Sequence, residues 1–376
     1  MKNMIVRAVA GLLASILLVT GVALMGNMPN GKRTDSIFYD ASGIHPDAAL
    51  MTVNMREVPA EEYFYWLAYD CDYLTSYMGS VDFNAAISQG MSYGQYAMAD
   101  AQRTVVLYSV VRAWAEQAGI TLSEDSQAQL EAQRQQYVEY YGGEEGYANQ
   151  LKLMGLTDEG FQRINEVYFL YSELYNAYCG EGGALRPAEE EIAAYTKAES
   201  YYTFLPLYWA TSGEEAADAA SLQEAQAAAE RLRSASDVSA VYLQIAQEMA
   251  LQATAAGETF SAEELSGELA AALSDLEDGQ VSDVVVTDVG YYVLVGRELN
   301  TDAVLDKMFN AKLDDMRDGA GIRYNCRSYD KLNVGDFYTK LTTLRSQLQG
   351  NTGADPDTDT TPDSDADAAP DSDPQS

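Results

Sequence analysis

Nineteen consecutive residues without a charge, Ala8 to Gly26 (AVAGLLASILLVTGVALMG), follow Lys2 and Arg7 at the start of the chain. A run of this length approaches the roughly 20 apolar residues that a helix needs to cross a bilayer. Whatever folds after it does so beside a membrane or on its far side. Ser15 and Thr20 fit such a helix, because their hydroxyls bond back to the preceding turn. Asn27, Pro29, Asn30, Gly31, Lys32 and Arg33 end it. A cleaved export signal and an uncleaved signal anchor share this layout. No convincing small-residue cleavage site follows the run, and no cysteine precedes Cys71, so lipoprotein processing is excluded. Residues 1–26 are read as a signal anchor. Basic residues flank both ends, so they orient the helix poorly. Segments of this export type deliver the chain that follows them, and the large acidic remainder is expected outside. The expected location is the cell membrane, single-pass, with the bulk extracytoplasmic.

That remainder is strongly acidic: 58 Asp and Glu stand against 23 Lys and Arg in 376 residues, for a net charge of −35. Such a surface repels phosphate backbones and anionic lipid alike, so nucleic acid is excluded as a partner and membrane attachment has to be hydrophobic. Hydrophobic residues at 47% suffice for a packed core outside the ends. Cys71, Cys179 and Cys326 lie far apart, without metal-ligand spacing, and read as small buried hydrophobes. One disulfide with one cysteine left over is an open alternative, and spacing identifies no pair. His45 is the only histidine, so nucleophile–histidine arrangements have no candidates, and it is read as an exposed linker residue. No phosphate-binding or zinc-protease motif is present, and no cofactor and no metal is implied.

Residues 27–48 read as a polar linker. From 49 to 198 helical periodicity dominates, with stops at Gly119, Gly142, Gly143 and Gly155. Pro59, Glu61 and Glu62 mark one helix start, since proline fits a first turn and carboxylates favour its positive end. In that helix Tyr63, Trp66, Tyr69, Tyr73 and Tyr77 recur at steps of three and four and are placed on one face. TFLPLYWA, 203–210, reads as a strand, with Pro206 marking an edge or bulge. VVVT and YYVLVG read as two strands around a tight turn at Asp288. Helices return over 301–348. The end, 349–376, alternates aspartate with Pro, Thr, Ser and Ala, and is expected to be a disordered, self-repelling tail and most simply a solvated spacer.

Several segments carry a resemblance. VNMREVPAEEYFYWL, AWAEQAGITLSED, YGGEEGYANQLKLMGLTDEGFQR and LRPAEEEIAAY resemble, in that order, the helical chaperone domain of SurA/PrsA-type foldases. LEDGQVSDVVVTDVGYYVLVGREL resembles the closing helix, turn and hairpin of a parvulin (PpiC-type) prolyl isomerase domain. The resemblance implies an α+β fold: a helical SurA/trigger-factor-like domain at 49–198, an inserted small parvulin-like α/β domain at 199–300, and C-terminal helices at 301–348 packing back on the helical part.

The family carries two histidines in its isomerase site. The second position is Tyr292 here, and the first falls around Pro206 or Leu207. The family's aromatic pocket positions fall on Leu269 and Leu273. No catalytic residue is therefore carried over. Turning X–Pro from cis to trans breaks amide resonance against a barrier of ~18–20 kcal/mol, and the histidines belong to the polar network that favours the twisted amide. Candidate substrate contacts are Tyr208, Leu269, Leu273, Tyr291 and Tyr292, together with Tyr63, Trp66, Tyr69 and Tyr73 as a cradle for unfolded clients. The implied function is a chaperone for unfolded or newly exported polypeptides with weak or absent isomerase activity. The alternatives are an active isomerase rebuilt on Tyr208, Tyr291 or Tyr292, and a surface adaptor without foldase activity.

Overall fold

The computed structural model describes residues 30–351 apart from Gln89. The anchor read at 1–26 lies outside the described residues, as does the acidic tail beyond 351. Among the described residues no helix is long and apolar enough to cross a membrane. The chain forms two compact units, one running to Asn176 and resuming at Ala311, the other Ala177–Asn310.

The first unit starts within the stretch read as linker. Helix α1 (Ile37–Ser42) is capped by Ser36, whose Oγ accepts from the Phe38 N–H and donates to the Gly155 carbonyl at 2.9 Å. Phe38 is fully buried, so this stretch is part of the core rather than a tether. Ile37, Phe38, Ala41 and Ile44 carry that burial, a helical spacing that extends over only two turns among polar neighbours. His45 is half-buried and stacked on Tyr39 at 4.9 Å, with Nδ1 2.8 Å from the Arg33 carbonyl oxygen, which corrects its reading as an exposed linker residue.

Strands β1 (Ala49–Val53) and β2 (Arg56–Pro59) form an antiparallel hairpin across Asn54 and Met55, at φ 50° and 66°. Two left-handed residues in succession define the turn type that favours Asn-Gly. Asn54 suits it, and its Oδ1 accepts from the Gly321 N–H at 2.8 Å. Met55 does not suit it, and its side chain is 80% exposed. Met55→Gly removes a left-handed penalty of ~1–2 kcal/mol and adds back ~0.5–1 kcal/mol of chain entropy. The expected outcome is a small gain in stability, read as a higher urea midpoint; an unchanged or lower midpoint contradicts it.

Helix α2 (Ala60–Met78) follows, then β3 (Ala86–Ser88) and β4 (Met91–Ser92). Helix α3 (Tyr93–Ala118) begins at a reciprocal cap between Ser92 and Gln95. Helices α4 (Glu124–Tyr140), α5 (Glu144–Met154) and α6 (Asp158–Cys179) complete this stretch. Gly155, at φ 74°, ends α5 against the Phe38 ring, where a Cβ would come within 2.5 Å. Only glycine fits both the conformation and the space there.

The second unit contains α7 (Glu189–Glu199), β5 (Tyr201–Ala210), α8 (Glu215–Arg233), α9 (Val238–Glu248), β6 (Glu258–Ser261), α10 (Gly267–Leu273), β7 (Val285–Val286) and β8 (Gly290–Arg297). The strands form an antiparallel sheet in the order β6-β5-β8-β7. Period-two alternation separates its faces. Leu205, Leu207, Trp209, Val293 and Val295 pack under α8 and α9, whereas Phe204 and Leu294 pack against Leu269 and Leu273 of α10. β5 is thus an interior strand by sheet order, yet locally an edge at Pro206, where the edge reading holds. The sheet tolerates this proline because β6 pairs only with Tyr201–Phe204, leaving β8 alone beside Pro206. The Pro206 carbonyl accepts from the Tyr242 hydroxyl at 3.2 Å.

Helix α11 (Thr301–Asp318) leads back to the first unit. β9 (Ile322–Tyr324) pairs antiparallel with β1, and α12 (Cys326–Tyr329) and α13 (Val334–Asn351) follow. Phe337 of α13 stacks on Phe64 of α2 at 5.1 Å, and Phe38 lies 5.7 Å from Phe64. Two rings from early in the chain and one from near its end thereby close one core. Cys71 is fully buried, while Cys179 and Cys326 are half-buried.

Candidate functional site

Two groups of candidate residues lie in different units. In the second unit, strand register decides which side chains meet. Tyr208 of β5 pairs with Tyr292 of β8, which pairs with Val285 of β7. The two tyrosine rings lie 4.7 Å apart, tilted by 34°. Tyr292 and Val285 pack beside the α10 core, so this row faces α10. Pro206 sits one row further along the same face, opposite Leu294, while Leu207 faces α8 and α9 and is fully buried. Of the two positions considered for the family's first histidine, Leu207 is therefore on the wrong side of the sheet.

Tyr291 is also on that other side, packed against the α8–α9 core. It cannot share a pocket with Tyr292, which corrects its candidacy beside that residue. The cause is the pleat: neighbours in a strand point to opposite faces. Leu269 and Leu273 are 9% and 3% exposed and fill the space between α10 and the sheet, against Phe204 and Leu294. They are core residues, not the walls of an open cavity. What remains accessible is the Tyr208–Tyr292 ledge and the adjoining hairpin, where Val286 and Val289 are 57% and 50% exposed.

The chemistry of this ledge is limited. The Tyr208 hydroxyl donates to the Val289 carbonyl at 2.8 Å, so its proton is already committed. Burial, followed by the neighbouring Tyr208 and Asp288, raises the Tyr292 phenol above its ordinary range, so it stays neutral at physiological pH. Ser282 anchors the hairpin from beneath: its N–H donates to the Leu294 carbonyl at 2.8 Å and its Oγ accepts from the Leu294 N–H at 2.9 Å. This is the serine of the G-x-V-S turn read in the sequence. The ledge offers apolar area and aromatic faces on a rigid strand pair.

In the first unit the aromatic face expected on α2 divides along the helix. Tyr63 is fully buried; its hydroxyl donates to the Met98 carbonyl at 3.1 Å and lies 3.4 Å from that of Tyr329. It is core, which corrects its place in the cradle. Trp66 is half-buried between Tyr65, Tyr69 and Tyr108, with ring centroids 5.1–5.8 Å away. Tyr69, Tyr73 and Tyr77 are exposed.

Two charged clusters around α2 escaped the sequence reading. Glu61 and Glu62 are 4% and 1% exposed and meet Arg33, Arg112 and Arg163. The sequence signals only acids in a first turn. Asp70, with its Oδ2 buried and unpartnered, lies under the influence of the Asp100 carboxylate, which is paired in turn with Arg103. Burial first, and the Asp100 charge second, raise the Asp70 carboxyl to about 9. No local spacing announces an interaction between residues thirty positions apart.

Comparison with known proteins places the second unit in a class. The family model of the PPIC-type PPIASE domain matches residues 187–308. Residues 187–308 thus carry a parvulin-type domain. Among solved structures, it is 15% identical to the peptidylprolyl isomerase PrsA of Bacillus anthracis, covering 68% of this chain and 99% of that one, at a TM-score of 0.24. It is 12% identical to PrsA of Bacillus subtilis, covering 74% and 96%, at 0.27. A SurA-like chaperone of Campylobacter jejuni matches at 11% identity, covering 73% and 98%, at 0.21. No curated protein matches the chain.

Proposed function

We propose that this chain is a membrane-anchored, extracytoplasmic chaperone that holds unfolded or newly exported polypeptides, and that its parvulin-type domain binds its clients with weak or absent isomerase activity. The observation that carries this reading is the Tyr208–Tyr292 pair. It occupies the family's second histidine position and that position's partner in the sheet, with one phenol committed to a backbone carbonyl and the other held neutral. An apolar ledge binds ground state and twisted amide about equally, and uniform binding does not accelerate a reaction. The anchor reading rests on the uncharged run Ala8–Gly26.

The test joins two assays. Cis–trans exchange on a proline peptide, followed by NMR, is expected to run no faster than in buffer. Aggregation of an unfolded protein is expected to be suppressed in the same preparation. Exchange at the rate of an efficient isomerase, lost on Tyr292→Phe, would replace this reading with that of an active enzyme. Suppression confined to one client would favour the adaptor.

A further inference from the structure

We propose that the exposed tyrosine ridge of α2 docks cationic, extended polypeptide segments. This deepens the chaperone reading and rests on it for the nature of the occupant. Tyr69, Tyr73 and Tyr77 are 47%, 63% and 61% exposed, and Met78 beside them is 45% exposed. They recur at every fourth position of one helix and form a continuous strip of ring surface.

Charge selects the occupant. Helix α2 carries no lysine or arginine. Its own acids are already satisfied, Glu61 and Glu62 by Arg33, Arg112 and Arg163, Asp72 by Arg345 and Asp70 by its proton, so the field at the ridge comes from the helix end and the acidic surface around it. The ridge runs to the C-terminal end of the helix, where carbonyl groups and the helix dipole present negative potential. No basic residue lies in that last turn to neutralise it. Asp82, just beyond, is exposed. The chain around this strip has a net charge of −35, which steers cations towards it and anions away. A lysine or arginine over an exposed tyrosine face adds cation–π attraction to that field.

Spacing selects the conformation. Four helical residues advance about 6 Å along the axis. Side chains on one face of an extended strand recur at about 6.6 Å. Successive rings of the ridge therefore match every second residue of an extended peptide. A segment with basic residues at alternate positions sets one cation over each ring.

The experiment compares the full chain with its Tyr69→Ser/Tyr73→Ser/Tyr77→Ser variant. The probe is a fluorescent, unstructured peptide with lysine at alternate positions, and the control is the same peptide with glutamate there. Binding is read by anisotropy at low and raised salt. The aspartates beyond residue 351 are present in both proteins, so their contribution cancels. The lysine peptide is expected to bind, the glutamate peptide to fail, and the triple variant to lose about ten-fold or more in affinity. Tyr73→Lys, a single change at an exposed site, is expected to weaken binding in the same direction and serves should the triple variant fold poorly. Equal binding of both peptides, or unchanged affinity in the variants, overturns the proposal. Aggregation suppression is measured alongside. Suppression intact with affinity unchanged in the variants removes the ridge and leaves the chaperone. Suppression absent for all clients, with affinity lost in the variants, removes the chaperone and leaves the ridge.

Discussion

Glu62→Ala is expected to destabilise the first unit by about 3–5 kcal/mol, the cost of breaking a buried ion pair from one side. Glu62 is 1% exposed and meets Arg112 at 2.8 Å and Arg163 at 3.5 Å. Arg163 also reaches Glu61 at 3.0 Å, and Arg33 reaches the same carboxylate at 2.7 Å. Two buried carboxylates thus hold three guanidinium groups, and removing one leaves three cations facing one buried anion, with only the exposed Asp35 beside Arg33 to help. Arg112 has a second tie, donating to the Arg163 carbonyl at 3.0 Å, so it cannot simply swing out to water. Removing an exposed acid gives the contrast. Glu144, 65% exposed and paired with Arg134, is expected to cost less than about 1 kcal/mol on changing to alanine. Urea denaturation in a Trp209→Phe background reads the first unit, since Trp66 and Trp114 then supply the fluorescence. A loss below about 1 kcal/mol for Glu62→Ala would mean that the cluster relaxes or hydrates.

Local signals account for most of what the sequence made legible. The helix stops at Gly119 and Gly155, the G-x-V-S turn and the YYVLVG strand are where residue type dictates backbone, and they lie where they were read. The α+β character follows from them. What stayed hidden depends on partners distant in the chain. Phe38 looks like part of a linker until Phe64 and Phe337 close around it. Tyr291 and Tyr292 look equivalent until β5 fixes the pleat and sends one to each face. Leu269 and Leu273 stand at the family's pocket positions, but a match of position does not distinguish a filled interior from an open pocket. On α2 the same limit applies along the axis: a stripe of rings at steps of three and four is core at Tyr63 and surface at Tyr77.

Asp70→Asn is expected to stabilise the protein at pH 8 and to do nothing near pH 4. In the folded chain burial and the Asp100 carboxylate raise Asp70 to about 9, whereas an unfolded aspartate titrates at ~3.9. Between those values the folded state keeps a proton that the unfolded state has released. Stability therefore falls as pH rises through this window and levels off above the folded value. Each pH unit removes up to ~1.4 kcal/mol, so the cost at neutral pH approaches ~4 kcal/mol as an upper bound. Asparagine has nearly the shape of the protonated acid and, like it, carries a donor and no charge. It brings no proton to be released, so the pH-dependent cost disappears. The groups facing the pair are Arg103, which holds Asp100, and Tyr96, whose phenol burial and Asp100 raise. The tyrosine stays neutral across pH 4.5–8. Urea midpoints over that range are expected to diverge with rising pH, the asparagine variant gaining about 2–4 kcal/mol at the upper end. Parallel curves, or a variant less stable than the parent at pH 8, would show that Asp70 is ionised in the folded chain and that Arg103 and water, rather than a proton on Asp70, offset the repulsion between the two carboxyls.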